Sequence, residues 1–369
     1  MKICFILENF YPKTGGGEIL FYNLAKRLVQ EGHSVRVVTS HFDKTKKEEL
    51  LDGIKIYRYK WPSFLNHAIA KKSDLEPHVR WADIVHTSTY TAAIPALRVS
   101  NKYGKHCIIT VHEVLGRKWY WVENPIIATL LFIFEEYVVR QNFDAYHCVS
   151  KATAGDLENA GVDRERIFTI YPGVDIAKSK ESPTIYKLFS INKTKKIFLY
   201  YGRYGKTKGI NILLKAIALV QTQIPKEFMF GFVTDNPEKI ADDIKKYGIN
   251  PEIILNHLGV PHDKISGIIK SAYCVIVPSI TEGFGFTTAE TCQLSTPVIC
   301  SDAGSLLEVV SGKCSVFENR NHFDLVQKIK LAVKIQFGFI IPRHFLWVKT
   351  DRAIEELYQK LLKDNTDEN

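Results

Sequence analysis

Residues 277–302, "VPSITEGFGFTTAETCQLSTPVICSD", decide the fold. An apolar run closes at Pro278 and a glycine-bearing loop, "TEGFG", follows. A helix is expected to start near Phe286, and "TPVICSD" turns apolar again. Strand, loop, helix and second buried strand are the repeating unit of a parallel sheet covered by helices. Two acids punctuate the unit, Glu282 in the loop and Glu290 one turn into the helix. An acid in a loop against a helix N-terminus can accept hydrogen bonds from sugar hydroxyls. The amides of Gly283, Phe284, Gly285 and Phe286 can hold a phosphate. The same residues equally suit a helix-capping anion at 282 and an exposed helical acid at 290.

The alternation runs outward from this stretch in both directions. Downstream of a polar segment beginning at Val174, the apolar runs are "KIFLYYG", "EFMFGFVT", "IILNHLG", "YCVIVPS", "TPVICSD" and "CSVFE". Upstream they are "KICFIL", "SVRVVTS", "GIKIYRY", "DIVHTS", "HCIITVH", "AYHCVS" and "IFTIYPG". Amphipathic stretches separate them, such as residues 17–32 with Leu20, Leu24 and Leu28 on one face and Gly32 as a stop. Two such series predict two doubly wound α/β domains, at residues 1–175 and 190–344, with residues 174–196 as the linker. The tail "DRAIEELYQKLLKD" reads as a helix with Ile354, Leu357 and Leu361 on one face. We expect the helix, about 345–364, to pack back on the first domain. Ligands of such sheets bind beyond the carboxyl ends of the strands.

Composition sets bounds. The chain has 369 residues, 46% apolar and 24% charged, enough for two ordinary cores. No run of eighteen apolar residues occurs, so no membrane span is expected. The opening "MKICFILENFYP" reads as a buried first strand, because its apolar run is too short for a secretion signal and Glu8 interrupts it. The seven cysteines show neither pairing nor zinc spacing, and Cys4, Cys274 and Cys300 fall inside strand-like runs. Buried thiols in a reducing cytoplasm are expected. The net charge of +9 is spread evenly, +4 over residues 1–185 and +5 over the remainder. No basic block and no nucleic-acid motif accompanies it, so a nucleic-acid partner is not expected. Two stretches leave a peripheral position on an anionic membrane open. "IKIYRYKWPSF" (54–64) interleaves Lys55, Arg58 and Lys60 with aromatics, and "NPIIATLLFIFEEYVVRQ" (124–141) is strongly apolar. A surface strand and a core helix explain them as well.

Two further loops carry chemistry. In "YYGRYGKTKG" (200–209) the tripeptide Gly205-Lys206-Thr207 suggests a P-loop, but the required upstream glycine is Tyr200. Arg203 and Lys208 nevertheless lie between a strand and a helix start, where two cations suit a diphosphate; a solvated basic loop suits them too. In "FYPKTGGGEILFYNLAKRL", Gly15, Gly16 and Gly17 open the first long helix, and glycines there let backbone amides approach an anion. The dinucleotide fingerprint is broken by Leu20 at its third glycine position. His112 ends a strand, where it serves either a site or the core.

The ordered set of motifs resembles the GT-B glycosyltransferases, in particular the large retaining group called family 4. The set comprises the glycine loop, "TVHE" (110–113), "VSKATAGDL" (149–157), "IYPGVD" (170–175), "YYGRYGKTKG", "LGVPHDKISGIIKSAYCVIVPS", "EGFGFTTAE" and "TPVICSDAGSLLEVV". The resemblance implies two Rossmann-like domains facing across a cleft. It implies a donor that is a nucleotide diphosphate sugar and an acceptor, lipid-linked or glycan, on the N-terminal domain. By that resemblance Gly16, with Gly15 and Gly17, contacts the donor diphosphate, and Arg203 and Lys208 grip it. Glu290 holds the ribose hydroxyls, Glu282 faces the donor sugar, and His112 lies near the reacting centre. Gly283 to Phe286 line the donor. No Asp-x-Asp occurs, so neither metal nor other cofactor is expected, and transfer with retention is implied. The turn "FVTDNPE" (232–238), the absence of an acid before Lys208, and Ser305-Leu306-Leu307 before Glu308 depart from the family pattern. These departures bear on donor identity. A sugar-nucleotide 2-epimerase, a phosphorylase and a non-catalytic nucleotide-sugar-binding protein are the alternatives.

Overall fold

The computed structural model describes residues 1–13, 15–61, 71–176 and 182–364. Residues 62–64 of the basic-aromatic stretch and 177–181 of the expected linker therefore lie outside the described residues. The chain divides into two compact units, Met1–Gly173 with Leu346–Asn369, and Val174–Phe345. Residues 182–189 belong with the second unit rather than to a linker. The helix Ile185–Phe189 tucks Ile185, fully buried, into that core, with Tyr186, Leu188 and Phe189 packed around it. Its polar flanks conceal this short apolar turn.

The first unit holds an eight-stranded sheet: β1 (Lys2–Ile6), β2 (Ser34–Ser40), β3 (Glu48–Leu51), β4 (Ile54–Tyr59), β5 (Ile84–Ser88), β6 (His106–Val111), β7 (Ala145–Cys148) and β8 (Ile167–Thr169). Their order is β3-β4-β2-β1-β5-β6-β7-β8, all parallel except the β3–β4 pair. The chain winds one way from β1 and then the other, so the strand order reverses between β1 and β5. That reversal is where open α/β sheets leave a crevice. The helix Gly16–Gln30 covers the sheet with Leu20, Leu24 and Leu28, together with Phe21 and Ala25.

The C-terminal helix Trp347–Asp364 belongs to this unit and buries Ile354, Leu357, Tyr358 and Leu361. Tyr358 starts a chain of buried hydrogen bonds across the sheet. Its hydroxyl lies 2.6 Å from His86 Nδ1, His86 Nε2 lies 2.7 Å from Thr110 Oγ1, and Thr110 Oγ1 lies 2.9 Å from His147 Nδ1. His147 Nε2 ends the chain, 2.9 Å from the carbonyl of Ile170. A carbonyl only accepts, so His147 carries its proton on Nε2 and Nδ1 accepts from Thr110. Thr110 then accepts from His86 Nε2–H, and His86 Nδ1 accepts from Tyr358. One direction of donation satisfies every member with both imidazoles neutral. Burial drives both imidazole pKa values down, that of His147 to about 4.

The second unit holds seven strands: β9 (Lys196–Tyr201), β10 (Phe228–Thr234), β11 (Ile254–Leu258), β12 (Cys274–Val277), β13 (Val298–Ser301), β14 (Gly312–Phe317) and β15 (Gly338–Ile340). The order is β11-β10-β9-β12-β13-β14-β15, with only β15 antiparallel. Here the reversal falls between β9 and β12. β10 is buried along its whole length, as a central parallel strand must be. Cys4, Cys274 and Cys300 are buried in β1, β12 and β13, and burial raises their thiol pKa values.

The two stretches weighed for a membrane surface come out differently. Arg58 in β4 is buried, donating to the carbonyls of Tyr11 and Lys46 and pairing with Glu49 at 2.7 Å, so this cation is structural, whereas Lys55 and Lys60 are exposed. The apolar stretch forms the helix Pro125–Val139, started by Asn124 accepting from the amide of Ile127. It is not a core helix. Only Ala128, Glu135, Val138 and Val139 are buried, while Ile126, Ile127, Leu130, Ile133 and Tyr137 are exposed. No helix among the described residues is long and apolar enough to cross a membrane.

Candidate active site

In the second unit the loops leaving β9 and β12 lie side by side at the strand-order reversal. Gly209, at φ +64°, closes the first loop, and a Cβ there would overlap the carbonyl oxygen of Pro278. Only glycine permits that approach. The amide of Ile280 donates to the carbonyl of Thr207 at 2.7 Å and fastens the loops together.

This stitching brings Lys208 to Glu282. The ammonium lies 2.9 and 2.8 Å from the two carboxylate oxygens, and the Ser279 hydroxyl donates to Oε2 at 2.9 Å. The backbone carbonyl of Glu282 accepts from the amide and hydroxyl of Ser305, both at 3.2 Å. Gly304, at φ +51°, leaves room for that carbonyl. Glu282 is thus neither a simple helix cap nor a mobile loop acid. Arg203 lies exposed on the same loop as Lys208, and its guanidinium makes no ion pair or hydrogen bond among the described residues.

Gly285, at φ +89°, turns the chain into the helix Phe286–Gln293, whose second turn begins near Glu290. Glu290 is 5% exposed, so the reading of an exposed helical acid is wrong. Its carboxylate is held on two sides, 2.9 Å from the Tyr201 hydroxyl at the end of β9 and 2.7 Å from His262 Nε2. Burial and then the carboxylate's charge push the Tyr201 pKa well above its ordinary value. The hydrogen bond to Glu290 raises that of His262. Phe284 is buried and its ring meets Phe286 edge-on at 5.0 Å, so these two residues serve packing as well as loop shape.

In the first unit Gly15 caps the helix Gly16–Gln30 and its carbonyl accepts from Ile19. His112 follows β6 directly, and a Cβ on Gly17 would lie 3.1 Å from its Nε2. The imidazole therefore sits against the helix start, with the Phe21 ring perpendicular to it at 6.0 Å between centroids. Burial, and then the nearby His147, lower its pKa to about 4, so the ring is neutral near pH 7. It can accept one hydrogen bond and donate one, and it brings no charge.

Sequence reasoning placed Arg203, Lys208, Glu282 and Glu290 in one unit, and Gly15 to Gly17 with His112 in the other. It missed Ser279, Tyr201 and His262. Ser279 three residues before Glu282 was a local signal. Tyr201 and His262 meet Glu290 from 89 and 28 residues away, a juxtaposition that only the folded sheet creates.

Each unit is doubly wound and carries glycine-bearing or charged loops beyond the carboxyl ends of its strands, where open α/β sheets bind ligands. The profile of Glycosyltransferase Family 4 matches residues 14–178, and that of Glycosyl transferases group 1 matches residues 183–344. The chain belongs to the family 4-like GT-B glycosyltransferases, enzymes that transfer sugars. The GPI3 subunit of phosphatidylinositol N-acetylglucosaminyltransferase from Saccharomyces cerevisiae is 24% identical, over 98% of this chain and 83% of its own. An uncharacterized glycosyltransferase of Methanocaldococcus jannaschii is likewise 24% identical, over 84% and 83%. Among solved structures, sucrose-phosphate synthase from Thermosynechococcus elongatus superposes with a TM-score of 0.77 at 16% identity, covering 98% of this chain and 99% of that one. HepE of Anabaena, solved with UDP-glucose, gives 0.76 at 18% identity, covering 98% and 100%. At these identities the superpositions establish the fold.

Proposed function

We propose that the protein is a retaining glycosyltransferase that moves a hexose from a nucleotide diphosphate sugar to an acceptor held by the first unit. The observation that carries this is the Lys208–Glu282–Ser279 cluster beside the doubly held Glu290 at the β9/β12 reversal. Arg203, Lys208 and the amides of Gly283 to Phe286 take the diphosphate, with Gly15 to Gly17 approaching it from the first unit. Glu290 accepts from the ribose hydroxyls and Glu282 from the sugar, while neutral His112 hydrogen-bonds near the anomeric carbon. As the C1–oxygen bond to the diphosphate breaks, negative charge builds on the departing oxygen, where the two cations and the helix N-terminus stabilise it. The acceptor hydroxyl attacks C1 on the same face and passes its proton to that oxygen. Side-chain cations fill the role that a divalent metal plays elsewhere, and no further cofactor enters.

A metal-free thermal-shift screen with UDP, GDP, ADP and their sugar conjugates tests the reading. At a hundred times its dissociation constant a ligand stabilises by about 2.7 kcal/mol. We expect a shift with one nucleotide class, lost in Arg203→Ala and Glu290→Ala. No shift with any of them would sink the donor assignment.

A cytoplasmic enzyme working peripherally on an anionic membrane surface, with a lipid-linked acceptor, extends the proposal. Ile126, Leu130, Ile133 and Tyr137 form one exposed helical stripe, with Tyr120 and Trp121 exposed just before it. Such a stripe with interfacial aromatics suits a lipid–water boundary. One relative's name, the phosphatidylinositol N-acetylglucosaminyltransferase subunit, points to a lipid substrate of that protein. Co-sedimentation with anionic liposomes should occur and be abolished by Leu130→Glu with Ile133→Glu; equal sedimentation of both proteins would remove the membrane from the proposal.

A further inference from the structure

Glu290 has a second role written into its partners. Its two oxygens face different neighbours: Oε2 faces Tyr201, a group that stays neutral through the physiological range, and Oε1 faces His262, a group that titrates within it. His262 stands in the turn His262–Lys264 after β11, and its side chain is 38% exposed, so protons reach it freely. The charged or titratable groups facing it are Glu290 from the helix, Tyr201 through that shared carboxylate, and Asp263 beside it. Glu290 and Asp263 carry negative charge and Tyr201 is neutral, so the local field favours the imidazolium and outweighs the partial burial that opposes it.

We infer that His262 is a positioning residue that holds the ribose-binding carboxylate and makes donor affinity fall as pH rises. This rests on the donor-site reading above. Two consequences follow from the geometry. The Nε2–H bond fixes the rotamer of Glu290, leaving its remaining lone pairs for vicinal hydroxyls. The imidazolium also cancels the carboxylate's charge, so an incoming diphosphate meets the cations of Arg203 and Lys208 without a net acid beside them. The contact raises the pKa of His262 above its ordinary 6.5, so protonation extends further toward neutral pH. Once the proton leaves, the neutral ring still donates to Glu290, but the carboxylate charge returns and repels the donor. The diphosphate of a nucleotide sugar is esterified at both ends and does not titrate in this range. The pH dependence therefore belongs to the protein.

The test is calorimetric binding of UDP-glucose, GDP-mannose and ADP-glucose to the full chain at pH 6.0 and 8.5, in wild type, His262→Gln and His262→Ala. We expect the donor that binds to do so roughly tenfold more tightly at pH 6.0. His262→Gln retains an N–H donor but cannot titrate, so it should bind with little pH dependence, close to the wild type at pH 8.5. His262→Ala should bind more weakly than His262→Gln at both values, because Glu290 loses its orientation. A wild type that binds equally at both values, or a slope that survives in His262→Gln, overturns the inference and leaves the donor site standing. Failure of all three donors to bind the wild type overturns the donor site and the inference with it.

Discussion

The two units present loops beyond the carboxyl ends of their central strands, yet they equip them differently. The first brings glycines and a neutral imidazole, with His112 held near pKa 4 by burial. The second brings charge already paired, Lys208 against Glu282 and His262 against Glu290. The glycines differ in the same way. Gly17 in the first unit is pressed by a side chain, His112, whereas Gly209 in the second is pressed by backbone, the carbonyl of Pro278. Proximity without charge on one side and prearranged charge on the other suggest a division of labour. On the function proposed above, the first unit would shape the approach of substrate and the second would stabilise the leaving group.

The sharpest way to break that comparison is to remove charge from the second unit. Lys208→Ala should lower kcat by at least about 100-fold, because the counter-charge to the departing diphosphate acts in the transition state. The fall should appear in kcat more than in donor KM. A loss confined to KM would mean that Lys208 binds the donor without assisting departure.

The two glycines provide the next contrast. Gly209→Ala forces a left-handed alanine into a carbonyl oxygen and should destabilise the second unit by at least about 2 kcal/mol. Scanning calorimetry would show this as a lowered Tm. Gly17→Ala requires His112 to move by only a few tenths of an ångström, so Tm should hold while kcat/KM falls roughly tenfold. In a His112→Ala background the Gly17→Ala change should cost nothing further. If it costs as much there as in the wild type, His112 is not what the glycine accommodates.

Acid should separate the units as well. His78, His112 and His147 have pKa values near 4 in the folded chain, and that of His86 is also depressed, each chiefly by burial. The unfolded chain takes up these protons near pH 6.5. Between about 6.5 and 4 the unfolded state therefore binds more protons, and first-unit stability falls as pH drops through that window. His262 has the opposite sign: its raised pKa contributes stability below 6.5 that is lost as pH rises through the folded value. All five tryptophans lie in the first unit, at 61, 81, 119, 121 and 347, so their fluorescence reports that unit alone. Urea midpoints read by tryptophan should fall steadily from pH 7 to 4.5. A flat profile would show that these histidines protonate without cost.

How much of this was legible beforehand depended on which contacts are local. Thirteen strands stand out as apolar runs, and most of them are buried on both faces as strands inside a parallel sheet are, while β8 and β11 at the edges are only half-buried. The two that were missed, β3 and β15, are the antiparallel edges, and their sequences "EELL" and "GFI" are largely exposed. Their apolar residues, Leu50, Leu51, Phe339 and Ile340, are too few and too exposed to read as a buried run; the strands exist because a neighbour offers a free hydrogen-bonding edge. The site divides along the same line. Glu282 and Glu290 share a loop and a helix and could be read together, and Arg203 and Lys208 share one loop. The partners that hold Glu290 come from β9 and from the turn after β11, and no periodicity reports a contact made across a sheet. The apolar helix at 125–139 was ambiguous for a different reason. Its composition suits a core and a surface equally, and only its four buried residues show which it is.

The smallest expected effect concerns the other hand on Glu290. The Tyr201 hydroxyl lies 2.9 Å from both Glu290 Oε2 and the carbonyl of Thr287, so it can donate its single proton to only one of them at a time. Tyr201→Phe keeps the ring in place and removes a hydroxyl shared between the carboxylate and the Thr287 carbonyl, so that only part of the roughly 1.5–3 kcal/mol of a charge-assisted bond, about 1 kcal/mol, is lost. Donor affinity should fall roughly fivefold at every pH, since the tyrosine stays neutral throughout. Its effect should therefore be a uniform offset, where that of His262→Gln is a change of slope. A Tyr201→Phe offset that varied with pH would mean that the two partners act on the carboxylate together, and the contrast between a fixed and a titrating support would fail.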